Sequence, residues 1–391
     1  MSTTGIRFAF TDEQRLFRDS VARFCKSQSP SSRVRAQMAS ETGFDRDLWS
    51  ALAAELGVTG LHVPEAYGGQ GFGPVELGIV LEEMGRVVFC GPYFGSAVLA
   101  TYAVLDCATP TQCETWLPVL ASGASIGALA LAEPGPGGWA PTSVAATARR
   151  SGGRWRLDGV KTHVLDAHVA DLLLVAAREP GSAGDDGVSL FAVRAGAVGV
   201  EVDALRTVDA TRRACRVRLR DVDAELIGER GTAAATLGRT LDRAAAALAS
   251  EMVGGAQALL DSAVSYANLR VQFGRLIGSF QAIKHKCADM LLAVELAKSA
   301  AYYAAEVAAQ EDWRALSEVA ALAKALAAET FVQAAADTIQ IHGGIGFTWE
   351  NDTHLYFKRA KVDEVLLGTP SQHRDRFVRL ANQREMEAAH V

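Results

Sequence analysis

The 391-residue chain lacks any Cys-x-x-Cys pair and any zinc-like spacing of cysteine and histidine, which sets aside structural-zinc and dithiol readings and leaves no metal site expected. Its six cysteines, Cys25, Cys90, Cys107, Cys113, Cys215 and Cys287, are scattered, so free and mostly buried thiols are expected. Basic excess is missing too: 39 Lys and Arg stand against 45 Asp and Glu, a net charge of -6. That balance argues against a general nucleic-acid binder, which needs a basic footprint, and leaves room for a local basic pocket around an anionic ligand. No uninterrupted apolar run approaches the roughly 18 residues of a membrane span. The opening MSTTGIRFAFTDEQRLFRD has no apolar secretory core. A cytoplasmic protein with no nucleic-acid or membrane partner is the expectation.

What is present, 49% hydrophobic and 21% charged residues, suits a soluble globular chain of two or three domains. Residues 11 to about 120 read as helical, opening on the capping box Thr11-Asp12-Glu13-Gln14 ahead of Leu16, Phe17, Val21 and Phe24. Gly69, Gly71 and Gly73 do not form G-x-G-x-x-G and follow no strand, so a Rossmann site is not expected. From about Ala124 to Gly228 short β-like runs take over. Arg213 to Arg220 alternates, Ser151 to Arg154 reads as a hairpin turn, and Asp171 to Ala176 as a buried strand. A small antiparallel barrel or sandwich follows. After Gly231 the chain is helical again to about Ala335, with Gly254 and Gly255 read as close-packing positions. The division is 1–121, an N-terminal helical domain; 122–230, a middle β-barrel; and 231–391, a C-terminal helical bundle.

Two stretches of the last domain are specific: Tyr266-Ala267-Asn268-Leu269-Arg270-Val271-Gln272-Phe273-Gly274-Arg275-Leu276-Ile277-Gly278-Ser279-Phe280-Gln281 and Gln340-Ile341-His342-Gly343-Gly344-Ile345-Gly346-Phe347. With the corner Val63-Pro64-Glu65-Ala66-Tyr67-Gly68-Gly69 and the helical, β, helical order, the chain resembles the acyl-CoA dehydrogenase family along nearly its whole length. The resemblance implies an α+β fold with a C-terminal four-helix bundle, a tetramer of lipid metabolism, and FAD-dependent removal of two hydrogens from Cα and Cβ of an acyl-CoA thioester. Electron-transfer flavoprotein is the implied acceptor.

The chemistry of the residues suits that implication. A diphosphate needs charge-assisted donors, and Arg270 offers a guanidinium fork while Gln272 and Gln281 offer amides. Gly343 and Gly344 allow a backbone to approach a cofactor closely. By resemblance Phe273, Gln340 and Thr369 join this cofactor set, which grips the ADP half of FAD. His342, beside the glycines, is read as structural.

The departures from the family pattern are as informative. Ala132-Glu133-Pro134-Gly135-Pro136-Gly137-Gly138 lacks the hydroxyls expected at Ala132 and Gly138. His163 stands where an aromatic neighbour of the flavin ring is expected, and Leu165 where a threonine is. The catalytic glutamate position holds Leu367, in Leu367-Gly368-Thr369. Its alternative position, 26 residues before Arg270, holds Ala244. Asp242 matches a substrate-contacting aspartate, whereas the arginine expected at 245 is Ala245, for which Arg239 and Arg243 are candidate substitutes. Glu251, seven residues beyond Ala244, lies about 10 Å along a helix, too far to take over as base.

These losses, set against an intact ADP grip, resemble the subunit of heterotetrameric bacterial members that lacks the glutamate, its homologous partner supplying the base. A homo-oligomeric flavoenzyme with altered chemistry and a non-catalytic structural or regulatory homologue remain as alternatives.

Overall fold

The computed structural model describes residues 9–135 and 137–388. The first eight residues, included in the leader reading, and Pro136 lie outside the described residues. In chain order the helices begin α1 (Asp12–Gln28), α2 (Ser31–Ala39), α3 (Arg46–Ala54) and α4 (Pro74–Arg86); a π-helical stretch, Tyr93–Ala100, runs into α5 (Thr101–Cys107), and α6 (Pro110–Ala121) follows. Seven strands come next: β1 (Gly127–Ala130), β2 (Thr147–Ser151), β3 (Arg154–Leu165), β4 (Leu172–Arg178), β5 (Val188–Arg194), β6 (Val200–Ala204) and β7 (Ala214–Ile227). The remainder is α7 (Ala233–Ala267), a hairpin of β8 (Val271–Gln272) and β9 (Arg275–Leu276), α8 (Gln281–Ala309), α9 (Trp313–His342), α10 (Thr353–Val365) and α11 (Pro370–Ala388). The Thr11 capping box is formed, its hydroxyl accepting from the Gln14 amide.

By contact the chain separates into two compact units. One takes in the chain up to Arg35, Pro74–Phe89 and the chain from Ala245; the other is Ala36–Gly73 with Cys90–Ala244.

In the second unit β4, β5, β7, β3 and β2 pair in a ring that returns to β4, with β1 added on β4 and β6 on β7. The expected antiparallel barrel needs one correction, since β1–β4 and β2–β4 pair parallel; those partners are separated by connections long enough to cross over. Leu157, Leu173, Val175, Phe191, Cys215 and Val217 fill its core. Along β7 the alternation holds, Cys215, Val217 and Leu219 buried while Arg220 is exposed. Two arginines of this face are paired across strands, Arg218 with Asp203 and Arg220 with Glu201 at 3.1 Å, and Arg149 of β2 pairs with Asp221, while Arg213 donates to the carbonyls of Met38 and Ser40. It is a charge ladder, not a basic patch.

In the first unit α8, α10 and α11 pack on α9, and α7 meets α9 where a methyl on Gly255 would come within 2.5 Å of the Phe331 ring. A methyl on Gly254 would lie 1.8 Å from the Glu82 carbonyl oxygen of α4. Both glycines therefore serve helix packing. Helix α9 runs to His342, past the Ala335 expected from composition. The segment Trp313–Phe347 is long and apolar enough to cross a membrane by composition, but 61% of its apolar window is buried, as in a core helix.

Candidate functional site

The first motif folds as a hairpin on the end of α7. The Arg270 amide donates to the Tyr266 carbonyl at 2.9 Å, closing the helix, and Arg270 accepts from the Ile277 amide at 2.8 Å, closing the hairpin. Gln272 pairs with Arg275 around Phe273 and Gly274, whose φ angles are 53° and 73°. Two left-handed residues make the tight turn that suits twisted strands, and a phenylalanine there is strained. Phe273 is 92% exposed, its ring edge-on to Phe280 at 6.2 Å. The Arg275 guanidinium lies 4.0 Å over the Phe280 ring, which leads into α8.

The second motif ends α9. His342 Nδ1 is 2.9 Å from the Thr338 carbonyl oxygen, and its buried ring stacks on Tyr266 at 4.2 Å and 17°. The stack joins the hairpin's root to the glycine turn, so the histidine is structural. Gly343 has φ 64° and ψ -142°, a conformation essentially reserved for glycine. Gly344 has no such demand, and a methyl on it would meet nothing within 4 Å. Neither backbone nor internal packing requires a glycine at 344.

Arg270, Gln272, Gln281 and Gln340 are all exposed. Among the described residues their side chains have no hydrogen-bond or ion-pair partner. Free donors beside a bare glycine turn fit an anionic diphosphate, which takes charge-assisted hydrogen bonds and close backbone approach.

The corner after α10 carries an alkyl side chain at position 367. Leu367 is buried and left-handed at φ 61°. Lys324 Nζ, itself fully buried, donates to the carbonyls of Asp363, Glu364 and Gly368 at 2.8, 2.9 and 2.9 Å. An ammonium on these carbonyls satisfies the end of α10 electrostatically, and burial pulls its pKa down to about 8. Thr369 caps α11, accepting from the Gln372 amide at 3.3 Å while its own amide donates to Gln372 Oε1 at 2.8 Å. The hydroxyl assigned to the cofactor thus has a structural task as well. Glu251 is no substitute base: it is buried, and its Oε1 is 2.6 Å from Arg359.

In the second unit Ala132 is buried and accepts from the Thr162 amide at 2.8 Å. Glu133 takes the amides of Ala145 and Ala146 at 2.8 and 2.9 Å and pairs with Lys161 at 2.5 Å. Lys161 is fully buried, and burial outweighs Glu133 in pulling its pKa down to about 8. Nothing in the local pattern marks either Lys161 or Lys324 as interior, because their partners lie 28 and about 40 residues away. Exposed His163 sits at a bulge of β3 with φ 51°. Leu165 is buried, and a methyl on Gly95 would lie 3.4 Å from its Cβ. Gly138 has φ 54° with open space around it. Asp242 and Ala244 are buried on α7. Arg243, one candidate for the arginine expected at 245, has its Nη1 3.0 Å from Asp106 and its guanidinium 5.0 Å over Tyr102.

A helical, β, helical chain order with unpaired donors at the end of α7 and α9 is what the family comparison has to account for. Models of the acyl-CoA dehydrogenase N-terminal, middle and C-terminal domains match residues 11–124, 128–222 and 229–380. The chain belongs to the acyl-CoA dehydrogenase family, whose members are FAD-dependent. It is 33% identical over 361 residues to acyl-CoA dehydrogenase IpdE2 of Mycobacterium tuberculosis, covering 92% of this chain and 95% of that one. A Tcur3481-Tcur3483 steroid ACAD variant superposes with a TM-score of 0.86 at 31% identity, covering 96% and 99%. The ChsE4-ChsE5 complex of Mycobacterium tuberculosis gives a TM-score of 0.85 at 29% identity, covering 95% and 98%.

Proposed function

We propose that this chain is the base-less subunit of a heterotetrameric acyl-CoA dehydrogenase that desaturates an acyl-CoA thioester between Cα and Cβ. Arg270, Gln272, Gln281 and Gln340 bind the diphosphate of FAD, Phe273 and the Gly343–Gly344 turn shape the approach, and Asp242 contacts the acyl-CoA. FAD supplies the acceptor for the two hydrogens. Leu367 and Ala244 offer no proton acceptor, so the base comes from the homologous partner. The observation that carries this reading is the contrast between free donors at Arg270 and Gln340 and a buried alkyl side chain at the base position, in a corner whose backbone carbonyls Lys324 ties together. The likeness to chains titled as a two-component steroid ACAD and as the ChsE4-ChsE5 complex supports a paired assembly and a bulky acyl group. Electron-transfer flavoprotein is the acceptor we assign, and the cytoplasm the location.

Flavin absorbance per chain tests this. The chain purified alone is expected to hold little FAD and to gain it on assembly with a base-bearing homologue; stoichiometric FAD in the chain alone sinks the proposal.

A further inference from the structure

In the second unit a buried polar cluster surrounds Asp106 on α5. The side chain is 2% exposed. Its Oδ2 accepts from Thr240 Oγ1 at 2.8 Å and its Oδ1 from Arg243 Nη1 at 3.0 Å. Thr240 and Arg243 are three apart on α7, hence neighbours on one helix face. Asp242 lies between them in sequence and, at 3.6 residues per turn, on a different face.

The rest of the cluster holds Arg243 in place. The guanidinium covers the Tyr102 ring at 5.0 Å, and the His62 ring packs on the same tyrosine at 4.5 Å. Neither ring nitrogen of His62 has a hydrogen-bond partner among the described residues. Burial, and then the charge of Arg243, push that imidazole down to about 3, so it is a neutral wall. The cluster sets the Arg243 guanidinium against the Asp106 carboxylate, with Arg239 close by, and a guanidinium only 12% exposed and stripped of its carboxylate is costly. One carboxylate thus fixes two successive turns of α7 through two different donors.

We propose that Asp106 is a positioning residue for acyl-CoA binding: by gripping Thr240 and Arg243 it sets the turn of α7 that presents Asp242. The inference rests on the assignment of Asp242 to the substrate. It predicts that the clamp acts on binding and not on the chemical step, since Asp106 touches neither.

The test uses the FAD-loaded assembly with Asp106→Asn, which keeps an acceptor for Thr240 but drops the charge facing Arg243, and with Thr240→Val, which removes only the hydroxyl donor. Coenzyme A and octanoyl-CoA are the probes, by calorimetry and by steady-state dye reduction. The expected result is about tenfold weaker probe binding in both variants, equivalent to about 1.4 kcal/mol, with kcat changed less than about twofold. Amide exchange at residues 239–244 should quicken about tenfold. Asp242→Asn is the control and should weaken binding as much. If Asp242→Asn weakens binding while the two clamp variants leave binding and exchange unchanged, the positioning inference is overturned and the site assignment stands. If Asp242→Asn has no effect, or the wild-type assembly binds neither probe, the substrate assignment itself fails and takes the inference with it. A lower melting temperature with unchanged KM also overturns it.

Discussion

Lys324 donates to the carbonyl oxygen of Gly368 at 2.9 Å, one residue past the leucine that occupies the family's base position. A single ammonium, reaching three carbonyls from α9, shapes this corner whether or not a carboxylate is there. The corner is thus organised by Lys324, and on the proposed reading it carries no catalytic group.

Lys324→Met should therefore unfold the chain more easily, by about 3 kcal/mol, because one buried and two part-buried carbonyls lose their donor. Urea denaturation measures it. The folded pKa of Lys324 is about 8 against an ordinary 10.5, so between those values the folded state binds fewer protons and stability from this group rises with pH, being lost as pH falls through 8. The wild-type advantage over Lys324→Met should accordingly grow from pH 8 to 10.

On the acid side, His373 faces the Leu367 carbonyl at 3.1 Å, and burial pushes its pKa down to about 4 from 6.5. Its contribution is present above 6.5 and lost as pH falls toward 4, at up to about 1.4 kcal/mol per pH unit. His373→Gln, which cannot titrate, should remove about 2 kcal/mol of the stability lost between pH 7 and 5. An identical acid profile in the variant contradicts this.

Much of this was legible in the sequence. The Thr11 capping box, the β7 alternation and the close-packing Gly254 and Gly255 follow from local rules, because each depends on neighbours a few residues away or on a period. The two motif stretches stood out through their resemblance to the acyl-CoA dehydrogenase family, in the order Arg, Gln-Phe-Gly, Phe-Gln and Gln-x-x-Gly-Gly. What escaped was long-range: the interior lysines, whose partners are distant carbonyls or a distant glutamate, the parallel pairings of β4, and the commitment of Arg243 to Asp106. The strained turn at Phe273 was also hidden, since nothing about phenylalanine predicts φ 53°.

Gly344→Ala separates structure from ligand directly. The added methyl meets nothing within 4 Å, so the melting temperature of the chain alone should shift by no more than a degree or so. FAD retention by the assembly should nevertheless fall, because the approaching group loses its clearance. Unchanged flavin content argues against cofactor approach at this turn.

Arg270→Ala should leave the circular dichroism spectrum intact, since the side chain has no hydrogen-bond or ion-pair partner among the described residues. A charge-assisted hydrogen bond is worth about 1.5–3 kcal/mol, so FAD affinity of the assembly should drop between about 10- and 150-fold. Unaltered affinity in a flavin titration sinks the assignment.

Leu367→Glu should not create a dehydrogenase in the isolated chain. The new carboxylate would sit in a buried position beside Leu366, with its pKa raised by desolvation, while Ala132, Gly138 and Leu165 still lack the groups expected around a flavin ring. Negligible turnover and a less stable fold are the expected outcomes of the dye assay and a thermal melt.

The decisive measurement is acyl-CoA-dependent dye reduction, with flavin stoichiometry on the same samples, for the wild-type chain alone, for its assembly with a base-bearing homologue, and for that assembly carrying Leu367→Ala. The account predicts no turnover by the chain alone and equal turnover by the two assemblies. Robust turnover by the chain alone, or loss of activity on Leu367→Ala in a correctly formed assembly, would show that the active site belongs to this chain.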